Sequence, residues 1–463
     1  MKKSEEYRKL YFLGIGGIGM SAIARYYMDK GIEVFGYDLT ETKLTRKLEA
    51  EGMKIHYDDN PGKIPDGIDM VVYTPAIPKT HKELQWFVEN GYVIKKRAEV
   101  LGIISRENKA IAIAGTHGKT STSSLLAHVL KYCGLEASSF LGGIVSNYDS
   151  NYLPGASEYC VLEADEFDRS FLHLRPEILV ILSMDADHLD IYKDRKSMVE
   201  AYEELCSKIV EGGVLVLTEG LEKQFSNSWS DRMRERKIRV FTQGEDFEYN
   251  EIRIESGKYI FNYKGPGGGL ENVFTCMPGE HNVSNASIAL FIAQWLDLDL
   301  EDAKRAMQDF GGIQRRFETL YNARRVLIDD YAHHPEELRK AIETVQALYP
   351  HRTVTGIFQP HLFSRTNDFY KEFASALEAL DRIWLLDIYP ARELPIKGVQ
   401  SEMIFNLIRN DDKMLLKAKH LIETMKEKSE ELDVIITLGA SDIDKYHQEM
   451  IDVLKEKDFG KYV

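Results

Sequence analysis

Residues 109–120 read KAIAIAGTHGKT: an apolar run, a glycine-bearing turn, then a lysine and a threonine. The run 110–114 predicts a strand, Gly115-Thr116-His117-Gly118-Lys119-Thr120 a tight loop, and 121–133 a helix. Strand, glycine loop and helix N-terminus in that order are the setting a phosphate requires. Backbone N–H groups turn inward, Lys119 supplies a cation, and the Thr120 hydroxyl is placed to ligate Mg²⁺. The common phosphate-loop spacing puts another glycine at position 113, which is Ile113 here, so this is a shortened form. A turn that merely caps a helix is the alternative. Lys119 and Thr120 in register favour a nucleoside triphosphate.

The chain has 463 residues, more than one core comfortably spans, so several domains are expected. Its 44% hydrophobic and 29% charged content is that of a globular protein. A net charge of −15 argues against a general nucleic-acid or anionic-membrane surface. Anionic ligands then require local cations such as Lys119. Cys133, Cys160, Cys206 and Cys276 form no CxxC pair; Cys133 and Cys160 read as core thiols, and a reducing compartment is expected. Glutamates and glycines interrupt the apolar run of the first twenty residues, unlike a signal peptide, and no stretch approaches membrane-spanning length. The expected state is a cytoplasmic monomer or weak homodimer with no nucleic-acid or membrane partner.

Three consecutive α/β domains are predicted, at 1–105, 106–318 and 319–463. In the first, apolar runs at 10–13, 32–37 and 70–73 alternate with helical stretches. The second opens near the phosphate loop and carries strand candidates at 159–163, 178–183 and 214–218. Within it, 251–255 and 258–264 alternate apolar and polar residues about Ser256-Gly257, which predicts an antiparallel hairpin followed by the glycine-rich loop 265–269. The pair Gly311-Gly312 suits a hinge. Strand candidates at 325–329, 353–358, 382–387 and 433–438, with helices between, predict a third parallel sheet. The fold class expected is a Rossmann-like first domain, a central P-loop ATPase-type parallel sheet with a hairpin addition, and a Rossmann-like third domain.

A second glycine loop, Gly14-Ile15-Gly16-Gly17-Ile18-Gly19, follows a predicted strand and opens a helix, and the next strand ends at Asp38. This is a dinucleotide fingerprint with its acid placed for a ribose hydroxyl. It points to a nucleotide diphosphate at Gly14, Gly16, Gly17 and Gly19 more firmly than to NAD. A dehydrogenase needs only this loop. An enzyme joining a nucleotide-borne substrate to a second molecule with ATP needs both. A non-catalytic nucleotide switch leaves the remaining chemistry unexplained.

That chemistry is acidic. Glu163-Ala164-Asp165-Glu166-Phe167-Asp168 begins at one strand end, and Asp185-Ala186-Asp187-His188-Leu189-Asp190 begins just past the next. In a parallel sheet both lie at the carboxyl edge, beside the phosphate loop. Hard oxygen ligands near Thr120 suit Mg²⁺ on a triphosphate, which makes Glu163 and His188 candidates. For any single carboxylate a solvated loop is the alternative.

GTHGKT, the EADE run at Glu163, Asp187-His188 and the stretch GEHNVSNA at 279–286 together resemble the Mur ligases. These are ATP-dependent amide-forming enzymes of peptidoglycan precursor synthesis. GIGGIGM, RRFE at 315–318, DDYAHHP at 329–335 and FQPH at 358–361 resemble the branch that joins L-alanine to the lactyl carboxylate of UDP-N-acetylmuramate. The branch that joins a murein tripeptide to the same sugar nucleotide is the alternative. The resemblance runs over essentially the whole chain.

It implies that Lys119 and the amides of Gly115, Thr116 and Gly118 hold the phosphates of ATP. It implies two Mg²⁺ ions, one on Thr120 and Glu163 and one shared by Glu163 and His188. Asn282 and Asn285 would bond the adenine, Arg316 the γ-phosphate and Asp330 the ribose. The 14–19 loop and Asp38 would hold UDP, with His117, His334 and Arg365 turned to the substrates. The implied reaction converts the carboxylate to an acyl phosphate, which the alanine amine then attacks. One departure concerns charge: the family pattern has an arginine where this chain has Leu362, and Arg392 in YPARE is the candidate replacement. Another is Ser441 in place of an expected glycine, which limits the late loop to a role in the fold.

Overall fold

The computed structural model describes residues 7–185, 192, 194–391 and 393–460. The chain forms two compact units, one carrying the first two parallel sheets and the other the third, with the last passage between them at Gly311 and Gly312.

In the first unit, β1 (Lys9–Leu13), β2 (Glu33–Tyr37), β3 (Lys54–His56), β4 (Met70–Tyr73) and β5 (Ile94–Lys96) form an all-parallel sheet in the order β3-β2-β1-β4-β5. Strand order reverses at β1, so the 14–19 loop leaves the sheet where a ligand crevice opens. The next sheet contains β6 (Lys109–Ala114), β7 (Ser138–Val145), β8 (Ser150–Leu153), β9 (Tyr159–Ala164), β10 (Ile178–Ile181), β11 (Val214–Leu217) and β12 (Arg239–Thr242). Its order is β12-β11-β10-β6-β9-β7-β8, with β7 and β8 antiparallel to each other. Strand β6 lies at its centre, flanked by β10 and β9. Residues 110–114 are wholly buried, which is why β6 reads as an unbroken apolar run instead of an alternating one.

One continuous core joins these two sheets. Helix Ile18–Asp29 packs on β7 and β8, with the Tyr26 and Phe140 ring centroids 5.1 Å apart. Its buried Arg25 pairs bidentately with Glu51 at 2.7 and 2.8 Å and donates to Asn151 Oδ1, while the Asn151 amide donates to Ser21 Oγ at 3.0 Å. These polar contacts leave no periodic trace in the sequence.

Strands β13 (Glu248–Glu255), β14 (Lys258–Gly265) and β15 (Gly268–Thr275) form a separate sheet in that order. The expected hairpin is present, but Gly268 and Gly269 open a third strand and are not part of a loop. Leu270 and Val273 are both buried although three positions apart, with Asn272 at a positive φ of 54° between them, so the strand shows no simple alternation in the sequence.

The second unit is built on β16 (Glu318–Asn322), β17 (Val326–Asp330), β18 (Val354–Phe358), β19 (Arg382–Leu386), β20 (Lys413–Leu416) and β21 (Val434–Leu438). The order is β16-β17-β21-β18-β19-β20, parallel except for β16. Strands β16 and β20 are short, half-exposed edges that sequence patterning missed. Apolar cores cover both faces.

All four cysteines are free; Cys160 is buried as expected, but Cys133 caps the end of helix Lys119–Tyr132 and is only half-buried. Among the described residues, no helix is long and apolar enough to cross a membrane.

Candidate active site

The phosphate loop connects β6 to helix Lys119–Tyr132, which begins two residues earlier than the apolar pattern indicates. Lys119 and Thr120 are therefore in its first turn, where unpaired N–H groups and the helix dipole favour an anion. The loop is pinned to the segment after β10. Thr116 N donates to Ser183 O at 3.3 Å, Thr116 Oγ1 to Asp185 O at 3.0 Å, and His117 N to Ser183 Oγ at 3.0 Å. The His117 ring lies 3.8 Å from the Asp185 carboxylate. Asn285, on helix Glu280–Trp295, sits beside Gly118.

Lys119 Nζ donates to Gly115 O at 2.6 Å and to both Glu166 oxygens at 2.9 and 2.7 Å. Burial alone would push this ammonium down, but the Glu166 and Asp165 carboxylates outweigh it and hold the pKa above the ordinary lysine value. Lys119 thus stays charged inside the fold. Glu166 is 1% exposed. Sequence reading missed it as a partner of Lys119; the signal was its place in the EADE run, three residues past Glu163.

Glu163 is the next-to-last residue of β9. One oxygen accepts from Gly142 N at 2.5 Å and Ser123 Oγ at 2.9 Å, the other from Thr120 Oγ1 at 3.2 Å. Thr120 and Glu163 are hard oxygen donors on adjoining elements, which fits a Mg²⁺ site completed by phosphate oxygens and water. Gly142 is essential to this packing, since a Cβ there would overlap the Glu163 carboxylate and come within 2.8 Å of Thr120 Oγ1. His188 and Arg392 lie outside the described residues.

In the first sheet, Gly14 N and Ile15 N both donate to Tyr37 O, at 2.8 and 3.1 Å, folding the 14–19 loop over β2. Asp38 accepts from Gly16 N at 2.8 Å, so the acid braces the loop itself.

The second unit divides its candidates by role. Of the adjacent arginines in RRFE, Arg315 is structural: it donates to buried Asp329 at 3.0 Å and to Gly439 O and Ser441 O at 2.9 Å each. Both guanidinium groups lie over the Tyr331 ring, Arg315 at 5.1 Å and Arg316 at 5.3 Å. Asp330 accepts from Phe317 N at 2.8 Å and Ala332 N at 2.7 Å, and burial pushes its carboxyl up to about 7. His334 caps helix Pro335–Leu348, with Glu336 N donating to its Nδ1 at 3.4 Å. His333 is pushed down to about 4 by burial, and its Nδ1 lies 2.9 Å from Tyr331 O. That geometry fits a neutral ring whose Nδ1–H donates to the carbonyl. Leu362, the departure from the family pattern, holds a left-handed φ of 68° at the start of helix Phe363–Leu377, which carries Arg365 in its first turn. Asn282 Nδ2 donates to Pro278 O at 2.7 Å.

Comparison with known proteins follows this layout. Residues 9–109 match the family profile described as "Mur ligase family, catalytic domain", 113–293 "Mur ligase middle domain", and 315–441 "Mur ligase, glutamate ligase domain". The chain is 42% identical to the UDP-N-acetylmuramate–L-alanine ligase of Cytophaga hutchinsonii, covering 98% of each chain. It is 46% identical to the enzyme of that name from Porphyromonas gingivalis, covering 95% of this chain and 97% of the relative. The crystal structure of UDP-N-acetylmuramate-alanine ligase from Thermotoga maritima superposes with a TM-score of 0.80 at 24% identity, over 97% of this chain and 100% of that one. A murein peptide ligase from Psychrobacter arcticus superposes at 0.71 and 20% identity, over 98% and 99% of the two chains. These matches span all three parallel sheets, and the chain belongs to the Mur ligase family.

Proposed function

We propose that this chain joins L-alanine to the lactyl carboxylate of UDP-N-acetylmuramate, using ATP, in peptidoglycan precursor synthesis. The observation that carries the reading is full-length identity of 42% and 46% to two ligases of that name. Clustering of Lys119, Thr120 and Glu163 at one sheet edge supports it chemically.

A carboxylate is a poor electrophile, so it must be activated. The lactyl oxygen attacks the γ-phosphorus, the bond to the β–γ bridging oxygen breaks, and ADP leaves. The alanine amine then attacks the acyl carbon, loses a proton, and phosphate departs. Lys119 and the helix N-terminus hold the phosphates and disperse charge in the first step. Thr120 and Glu163 would hold Mg²⁺, which supplies charge neutralisation at the triphosphate when bound. A second ion, on Glu163 and His188, is part of the same reading. The 14–19 loop takes the UDP diphosphate, braced by Asp38, with His117, His334, Arg365 and Arg392 assigned to the substrates. Asn282, Asn285, Arg316 and Asp330 are assigned to ATP by family resemblance.

The test is phosphate release from ATP with UDP-N-acetylmuramate, repeated with each amino acid and with the murein tripeptide. Release that depends on alanine is expected. Release with tripeptide alone, or none, would overturn the reading.

Gly142→Ala probes the metal assignment. Its methyl displaces Glu163, and activity is expected to fall about 10- to 100-fold, with a higher Mg²⁺ concentration at half-maximal rate. The melting temperature should move little, because the clash is local. An unchanged Mg²⁺ dependence would count against Glu163 as a ligand.

A further inference from the structure

Gly19, Arg97, Lys119, Thr120 and Glu163 line a cavity of about 230 Å³ in the first unit. Two of the lining side chains are cations. Lys119 is assigned to ATP, whereas Arg97 has no role in the reading above. Arg97 opens helix Arg97–Glu107, and its side chain is 26% exposed, so part of it is accessible from the cavity. One terminal nitrogen donates to Asp165 Oδ2 at 2.8 Å. The other lies against Gly19, so closely that a Cβ at position 19 would overlap it. Glycine at that position thus makes room for the guanidinium, and Asp165 fixes its orientation. A guanidinium has five N–H donors, and this contact occupies one of them.

We propose that Arg97 receives the acceptor carboxylate of the sugar nucleotide and holds it beside Lys119. The inference rests on the ligase reading and deepens it by naming a carboxylate-binding residue. Three features favour the carboxylate over the diphosphate. The N–H groups of residues 14–17 are taken within the fold, and the diphosphate has the helix N-terminus that begins at Ile18 and Gly19. The cavity holds the groups of the reacting end, Lys119, Thr120 and Glu163. A planar guanidinium also matches a planar carboxylate through two parallel hydrogen bonds. Such a clamp orients one oxygen of the nucleophile and offsets its repulsion from the γ-phosphate.

The test is titration calorimetry of the full chain with UDP-N-acetylmuramate, with UDP-N-acetylglucosamine, which lacks the lactyl group, and with UDP. Arg97→Ala is expected to weaken UDP-N-acetylmuramate binding about 10- to 100-fold, the range for a lost charged hydrogen bond, while the other two change little. Arg97→Lys should recover part of the loss, because the charge returns without the fork. The KM for ATP should stay within the wild-type range. Equal weakening of all three ligands, or no weakening of any, would overturn the proposal. A wild-type chain that binds UDP-N-acetylmuramate no better than UDP-N-acetylglucosamine would sink the ligase reading itself.

Discussion

Lys119→Ala is expected to abolish alanine-dependent phosphate release, with a loss of at least about 10³-fold, while UDP-N-acetylmuramate still binds. The rate effect follows from removing a preorganised cation from a partly buried site, where charge stabilisation is strongest. Binding should survive because the sugar nucleotide is assigned to the 14–19 loop of another sheet. The variant also deletes the ammonium that both Glu166 oxygens accept from, and Glu166 is nearly inaccessible to water. Breaking such a pair costs about 3 kcal/mol or more, so the single variant will melt earlier. Lys119→Ala combined with Glu166→Gln separates the two effects. The double variant should regain much of the lost melting temperature and none of the activity. Recovered phosphate release would show that Lys119 serves the fold alone.

Asp458→Ala should produce the largest loss of stability in the second unit, about 3–5 kcal/mol. Asp458 and Arg325 form an ion pair with side-chain exposures of 1% and 5%. Asp458 also accepts from Tyr321 Oη at 2.9 Å and Arg325 N at 3.0 Å, tying helix His447–Phe459 to β16 and the start of β17. Among the described residues, truncation leaves the buried guanidinium with Leu432 O at 3.0 Å and the exposed Glu430 at 3.6 Å. Amide exchange along β21 reads the effect without requiring two-state unfolding of the whole chain.

The pH dependence has a definite sign. Burial pushes the Asp458 carboxyl up, but the bonds from Arg325 and Tyr321 outweigh it and hold the pKa below the ordinary value. A depressed carboxylate stabilises the fold above its unfolded pKa, near 4, and that contribution is lost as pH falls through the folded value. The gap between wild type and variant should be full at neutral pH and shrink in acid. A gap that persists unchanged below both pKa values would contradict the ion pair as its source.

Much of the site was legible because its requirements are local. A phosphate loop needs strand, glycines, lysine and threonine in consecutive positions, and 109–120 contains them all. Glu163 could be placed beside Thr120 because one sits at the carboxyl end of a parallel strand and the other opens the helix that follows the phosphate loop at the same sheet edge. Other features were not legible. RRFE presents two equivalent arginines, and both lie over Tyr331, yet it is Arg315 that is absorbed by Asp329 and the late loop. Nothing in adjacent identical residues distinguishes them; Asp329 on β17 and the carbonyls after β21 decide which one is bound. His334 also caps a helix, a role that its place in DDYAHHP does not announce.

The sequence by itself determined the three α/β sheets, the two diphosphate-type loops and the family, since each rests on periodicity or on motifs of consecutive residues. Tertiary structure alone decided that Glu166 faces Lys119, that Gly142 makes room for Glu163, and that Arg97 lies against Gly19. Those pairs are separated by 47, 21 and 78 positions in the chain. They meet because parallel strands with helical crossovers bring distant loops to one edge, and contact at that range is set by packing and by the absence of a Cβ, neither of which has a local period.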